Sequence, residues 1–182
     1  LHGLVRLLDV GCAAVAEEAV IAVRLLLQQE REDSREIVAH LAHLLDELKS
    51  PAARASVIWL LGQYQHDIPF VAPDALRRLV QSFATESREV KLQVLPLAVK
   101  VWAFHASNAT KDAEGAATAG QDLKVMPPEI SAQIVERLEA ITEHVFQLCE
   151  GEMDWDLRDL ARTYKVVYSS CKGANASDGA TV

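Results

Sequence analysis

Three cysteines are spread over 182 residues, at 12, 149 and 171, an odd number with no Cys-x-x-Cys spacing. That excludes a disulfide framework and a zinc ribbon and suits a reducing, cytosolic setting. Basic runs are missing too: 18 Lys and Arg stand against 26 Asp and Glu, a formal charge of −8. Phosphate backbones are held by clustered cations that displace counterions, so this balance argues against DNA or RNA as a partner. No apolar run approaches the roughly 20 residues that span a bilayer, and the stretch 19–27 is interrupted by Arg24. The chain opens at Leu1 with no initiator Met, n-region or cleavage site and runs straight into Leu4, Leu7 and Leu8 at helical spacing, which reads as a segment of a longer protein.

The motifs of chemistry are equally sparse. Neither GxGxxG nor GxxxxGK[ST] occurs, so no phosphate cradle is indicated and no cofactor is implied. His40 and His43, with Glu47 one turn on, have a spacing that could present metal ligands on one side of a helix, but HExxH and any complementary Cys/His cluster are absent. Both histidines flank the polar side of an apolar stripe and read as surface residues. His66-Asp67 and His105 invite a triad, yet no GxSxG elbow exists, and Cys149 sits between apolar neighbours rather than in a basic pocket that would activate it. The tripeptides Asn108-Ala-Thr110 and Asn175-Ala-Ser177 match the glycosylation sequon without a secretory route to give it meaning. The residues therefore indicate no enzyme.

What is present is helical periodicity. Only 8 Gly and 6 Pro occur, clustered between stretches whose apolar positions recur every three or four residues. Residues 1–9 read as the end of a helix begun upstream. The stretch 13–29 is apolar on nearly every face, through Val15, Ala19, Val20, Val23, Leu26 and Leu27, as expected of a helix sandwiched between neighbours. The stretch 34–49 has a single stripe, Ile37, Leu41, Leu44, Leu45 and Leu48, and should lie outside. Ser50-Pro51 supplies an N-cap and a proline at the first helical position, opening an all-apolar helix over 51–66. The stretch 74–85 is again amphipathic. Ser87 caps a further helix through Trp102, with Pro96 expected to kink it rather than break it. Helices over 130–150 and 154–168 complete the pattern.

The all-apolar helices begin near 13, 51 and 88, spacings of 38 and 37, and inner and outer helices alternate. That is the signature of an all-α solenoid of stacked antiparallel helix pairs, of the HEAT or armadillo kind, in which each pair buries its inner helix only against its neighbours. The organisation expected is a helical-repeat segment over 1–106, a flexible Ala-, Gly- and Thr-rich insertion over 107–128, a continuation over 129–168 and a disordered tail over 169–182. Asp156, Arg158, Asp159 and Arg162 have the spacing of intrahelical pairs worth about 0.2–0.5 kcal/mol each, or alternatively of a partner contact. Trp59, Trp102 and Trp155 are expected chiefly in packing, otherwise at a protein interface.

Four stretches go beyond a generic solenoid. Pro51-Ala-Ala-Arg-Ala-Ser-Val-Ile-Trp-Leu-Leu-Gly-Gln-Tyr64, Ala72-Pro-Asp-Ala-Leu-Arg-Arg-Leu79, Val90-Lys-Leu-Gln-Val-Leu95 and Asp154-Trp-Asp-Leu-Arg-Asp159 resemble, in order and spacing, the adaptin N-terminal trunk. Within that family they are most similar to the large beta subunits of the third adaptor-protein complex. The resemblance covers about residues 1–106 and 130–165. Gln63 stands where the family usually has Glu, Pro96 where Asn is common and Leu160 where Arg is usual, and the 107–128 insertion separates helices closely joined in the family.

The resemblance implies a non-enzymatic scaffold in a cytoplasmic coat. Such a coat mediates vesicle transport from the trans-Golgi network or endosomes toward lysosome-related compartments, and its membrane association is peripheral, through the assembled complex. It implies as partners the medium (mu-type) subunit, the second large subunit and the small subunit, with an Arf-type GTPase engaged through the complete trunk. Gln63, Tyr64, Lys91, Lys100, Arg158 and Arg162, inside or beside the motifs, are the candidate partner-binding residues. No catalytic, cofactor or metal residue is implied. The alternative reading is another helical-repeat scaffold, such as a nuclear transport receptor or a phosphatase scaffold.

Overall fold

The computed structural model describes residue 3 and residues 13–29, 34–116 and 128–178. The expectations for 1–9, for Cys12, and for parts of the insertion and tail lie outside these residues. The chain is all-α, and its described residues form seven α-helices: α1 (Ala13–Gln29), α2 (Ser34–Leu44), α3 (Pro51–Gln63), α4 (Val71–Ser82), α5 (Arg88–Ala116), α6 (Pro128–Glu150) and α7 (Trp155–Asp178), with a 3-10 turn at Phe83–Thr85. They divide into two compact units, Leu1–Leu97 and Ala98–Val182.

Local chemistry explains most helix starts. Ser50 is the N-cap of α3: its hydroxyl accepts from the Ala53 N–H at 3.4 Å, and Pro51 follows at the first position, where a missing N–H costs nothing. Ser87 caps α5 through the Val90 N–H, and the Asp154 carboxylate accepts from the Asp156 and Leu157 N–H groups at 2.9 and 3.4 Å to start α7. Pro73 lies in the first turn of α4, among the four N–H groups that have no partner in the helix, so α4 begins at Val71, three residues before the expected start.

In the first unit, α1 packs on α3, α2 on α3 and α2 on α4. The hydrogen bonds fix the order. Ser50 donates to Glu17 at 2.7 Å and the Tyr64 hydroxyl donates to the Leu27 carbonyl at 2.6 Å, separations of 33 and 37 residues. Position advances together on both helices, so α1 and α3 run parallel, displaced by one repeat. Arg78 of α4 reaches back to Asp46 and to the Ala42 carbonyl, 32 and 36 residues earlier, tying one outer helix to the next in the same way. Helices two apart in sequence are thus neighbours, as stacked hairpins require. Burial agrees. α3 hides Ala53, Ser56, Val57, Ile58, Leu60, Leu61 and Gly62 around its circumference, whereas α4 hides only the face of Ala72, Ala75, Leu76 and Leu79. α1 is less enclosed than expected. Ala19, Val20, Val23 and Leu27 are buried, but Val15 and Leu25 are exposed, because its principal neighbour among the described residues, α3, covers one side.

In the second unit α6 packs on α7. Lys165 pairs with Glu150, and Lys172 with Glu143 and Glu139, so position rises on one helix as it falls on the other and the pair is antiparallel. The core here brings Trp102 of α5, Phe146 of α6 and Tyr168 of α7 together. The Trp102 and Tyr168 rings are 4.4 Å apart and those of Phe146 and Tyr168 are 5.6 Å apart.

Several boundaries differ from expectation. α2 stops at Leu44 and α3 at Gln63, five and three residues before the expected ends, and α4 passes into the 3-10 turn at Phe83. α5 is unbroken through Pro96 and runs on to Ala116, so residues 107–116, expected in the flexible insertion, are helical. No proline interrupts them, so the helix already nucleated upstream can propagate through them. α7 continues to Asp178, ten residues past the expected end. Ser169 and Ser170 donate to the Lys165 and Val166 carbonyls one turn back, and Lys172 anchors the extension on α6.

That anchor gives a first test. Hydrogen bonds to Glu139 and then Glu143 hold the Lys172 ammonium above the ordinary lysine pKa. A raised cationic group stabilises the fold fully below the unfolded value, near 10.5, and ceases to as pH rises through the folded one. Pairs this exposed contribute about 0.2–1 kcal/mol. Lys172→Met is therefore expected to raise amide hydrogen exchange at 169–173 by up to about fivefold at neutral pH, with α6 unaffected. The unsubstituted chain should lose the same turns only above pH 10.5.

Candidate interaction surface

The six candidate partner-binding residues fall on both units. Gln63 and Tyr64 are consecutive at the C-terminal end of α3. Gln63 is exposed, and Tyr64 is half-buried because its hydroxyl is spent on the last turn of α1. Together they line an open cleft of about 580 Å³ with Leu27, Gln28, Trp59, His66 and Asp67. The rings of Tyr64 and His66 stack at 6.5 Å, His66 Nε2 lies 3.4 Å from the Asp67 carboxylate, and the Arg24 guanidinium lies over the Trp59 ring at 5.7 Å. Lys91, on α5, does not join this cleft. Its ammonium lies 5.5 Å from the Phe83 ring centre and donates to the Ala84 carbonyl at 3.4 Å, so it closes the α4–α5 corner.

Lys100, Arg158 and Arg162 belong to the second unit. Lys100 is partly buried on α5, and burial lowers its pKa from the ordinary lysine value. Arg158 and Arg162 are one turn apart on α7. Arg162 pairs with Asp159 at 2.6 Å on the exposed side of the helix, which is the intrahelical pairing the spacing indicated. The Arg158 guanidinium lies over the Trp155 ring at 4.3 Å, and its buried Nε has no hydrogen-bond partner. Trp155 corrects the expectation of a packed aromatic: it is 74% exposed, because it occupies the first position of α7, opposite the face of Leu157, Ala161 and Tyr168 that meets α6. Met153 beside it and Val166, three turns on, are exposed as well.

His40, His43 and Glu47 are exposed, and no group of three or more His, Cys, Asp or Glu among the described residues is placed to hold a metal. Cys149 is wholly buried, and His105 packs edge-on against Phe104. Two features escaped the sequence reading. Arg54, inside the first quoted motif, is largely buried in a pair with Glu86 32 residues away, and Trp59, His66 and Asp67 converge on the Gln63–Tyr64 cleft. The 37-residue helix spacing was the available signal, since it sets Arg54 against the start of the next repeat.

The adaptin N terminal region family matches residues 1–172. The chain is 34% identical to the AP-3 complex subunit beta-2 of Mus musculus over 178 residues, 97% of this chain and 14% of that protein. It is 43% identical to the mouse AP-3 complex subunit beta-1 over 102 residues, 56% of this chain and 9% of that protein. The AP-3 complex subunit beta of Dictyostelium discoideum is 34% identical over 134 residues, 72% of this chain and 11% of that protein. The chain thus spans a small part of the length of these relatives.

Proposed function

We infer the function from a premise the comparisons supply: this chain belongs to the adaptin N-terminal region family. On it we propose a non-enzymatic scaffold segment of an adaptor-complex beta subunit. Similarity to AP-3 beta subunits across 97% of the chain carries the proposal. The fold supports it: stacked hairpins spend their apolar groups on one another and leave long outward faces, a scaffold's means of holding several partners.

The partners proposed are the medium subunit, the second large subunit and the small subunit of the same complex, with an Arf-type GTPase met by the complete trunk. The coat would act in vesicle transport from the trans-Golgi network or endosomes toward lysosome-related compartments. Attachment to membranes would be peripheral, through the assembled complex; no helix among the described residues is long and apolar enough to cross one. The organisation 1–106, 107–128, 129–168 and 169–182 is kept as the proposed division of trunk, insertion, trunk and tail, with helix reaching into the second and fourth segments.

The test is co-expression with the medium and small subunits of each adaptor complex from one organism. Selective retention of the third complex's medium subunit is the expected result. Failure to retain any subunit by a chain of helical circular dichroism would overturn the proposal.

A further inference from the structure

Because α1 and α3 are parallel and in register by one repeat, their C-terminal ends lie side by side, bridged by the bond from Tyr64 to Leu27. The aligned peptide dipoles give each end a partial negative charge that a cation in the last turn ordinarily offsets. Neither last turn contains a basic residue. The Asp67 carboxylate stands at the same cleft. Its walls are Trp59, Tyr64 and His66, and Trp59 already takes one cation against its ring, that of Arg24 at 5.7 Å. A volume of about 580 Å³ holds more than one side chain.

We propose that this cleft is a docking site for a short basic segment of a partner protein. Arginine or lysine stems would lie on the Trp59 and Tyr64 rings, with their charged ends toward Asp67 and the two helix termini. The Gln63 amide at the rim can orient them. The inference rests on the reading that the Gln63–Tyr64 end of the first unit is a contact surface, and it adds the chemistry of what is contacted. An acidic or purely apolar segment would meet the wrong charge and leave these carbonyl ends uncompensated.

The test uses the full 182-residue chain, 15N-labelled, titrated with acetyl-Ala-Arg-Ala-Arg-Ala-amide and with the same peptide carrying glutamine for both arginines. Shifts should centre on the Trp59 indole and the side-chain amides of Gln28 and Gln63, and the glutamine peptide should bind about tenfold more weakly. Gln63→Arg, an exposed change that puts a fixed cation in the cleft, should weaken the arginine peptide by about tenfold, and Asp67→Asn severalfold. Shifts scattered over acidic surface elsewhere, or a response unchanged by both variants, would overturn the inference. The coat reading separates from it in the same preparations. A medium subunit retained equally by the Gln63→Arg chain, with the cleft silent to peptide, overturns the docking site and leaves the coat. A cleft that takes the peptide while no subunit is retained supports the docking site and counts against the coat.

Discussion

Replacing Arg54 with methionine should cost the first unit about 3–5 kcal/mol, among the largest effects available to a single substitution here. The Arg54 side chain is 14% exposed and that of Glu86 11%, with 2.5 Å between them. One guanidinium nitrogen serves Glu86 and another donates to the Leu45 carbonyl, while Glu86 also accepts from the Ser82 hydroxyl at 2.9 Å. Four positions, from the end of α2, from α3, from the end of α4 and from the turn into α5, are therefore joined through one cation. Methionine keeps most of the volume but leaves a buried carboxylate with no counter-charge and a carbonyl without its donor. Burying an ion pair brings little net stability, because both groups lose their water, yet stranding one of them is expensive.

The discriminating variant is the double one, Arg54→Met with Glu86→Leu. If the cost comes from a stranded charge, the double variant should be clearly more stable than Arg54→Met alone, a coupling of at least about 1 kcal/mol. Hydrogen exchange across α3 and α4, followed through urea, gives both numbers. Equal stability of the single and double variants would show that Arg54 acts by packing its stem alone.

That network marks the limit of what could be read from the residues. Helix starts were legible because capping is local: Ser50-Pro51 and Ser87 announce themselves within four residues. The alternation of α3 with α2 and α4 was legible because a helix buried on all sides has apolar residues on all sides. The repeat step was legible from starts 37 and 38 residues apart, and it reappears as hydrogen bonds between residues 32 to 37 apart. Arg54 and Glu86 were not singled out, because an arginine in a helix is by default a surface group and only the fold brings its partner. α7 runs past residue 168, where the sequence pattern ends it, for a related reason. Apolar periodicity does stop at Tyr168, and what extends the helix is serine hydroxyls turned onto its own carbonyls and a lysine held by two glutamates of α6. Trp155 was within reach. It is two residues from Leu157, about 200° away around a helix, and so falls opposite the packed face. The motif in the sequence singles out Gln63 and Tyr64 as candidates, whereas the rest of the cleft they line is assembled from two helix ends a repeat apart.

Trp102→Ala should cost the second unit about 3–5 kcal/mol, the usual range for deleting a large buried aromatic. Trp102 is 2% exposed and lies where α5, α6 and α7 meet, with Tyr168 tilted against it at 4.4 Å and Phe146 edge-on to Tyr168 behind. The other large buried residues of the unit include Leu138 and Val145 on α6 and Leu157 on α7, each already part of the α6–α7 packing. Trp102→Phe keeps a ring against Tyr168 and should cost less than half as much. A second substitution sharpens the argument because the Trp102 indole N–H and the Tyr168 hydroxyl are both buried with no partner in good hydrogen-bond geometry, the nearby Lys172 ammonium only partly countering the effect of burial on Tyr168. Burial is also the main cause that raises the Tyr168 pKa. A buried hydroxyl with no partner contributes nothing to offset its lost hydration. Tyr168→Phe should therefore leave stability unchanged or raise it by up to about 1 kcal/mol, while Tyr168→Ala should fall into the same range as Trp102→Ala. Urea unfolding followed by hydrogen exchange in α6 and α7 reads all four variants. If Tyr168→Phe lost more than about 1 kcal/mol, the hydroxyl would have a partner in solution, and the cluster would be a polar junction rather than an aromatic one.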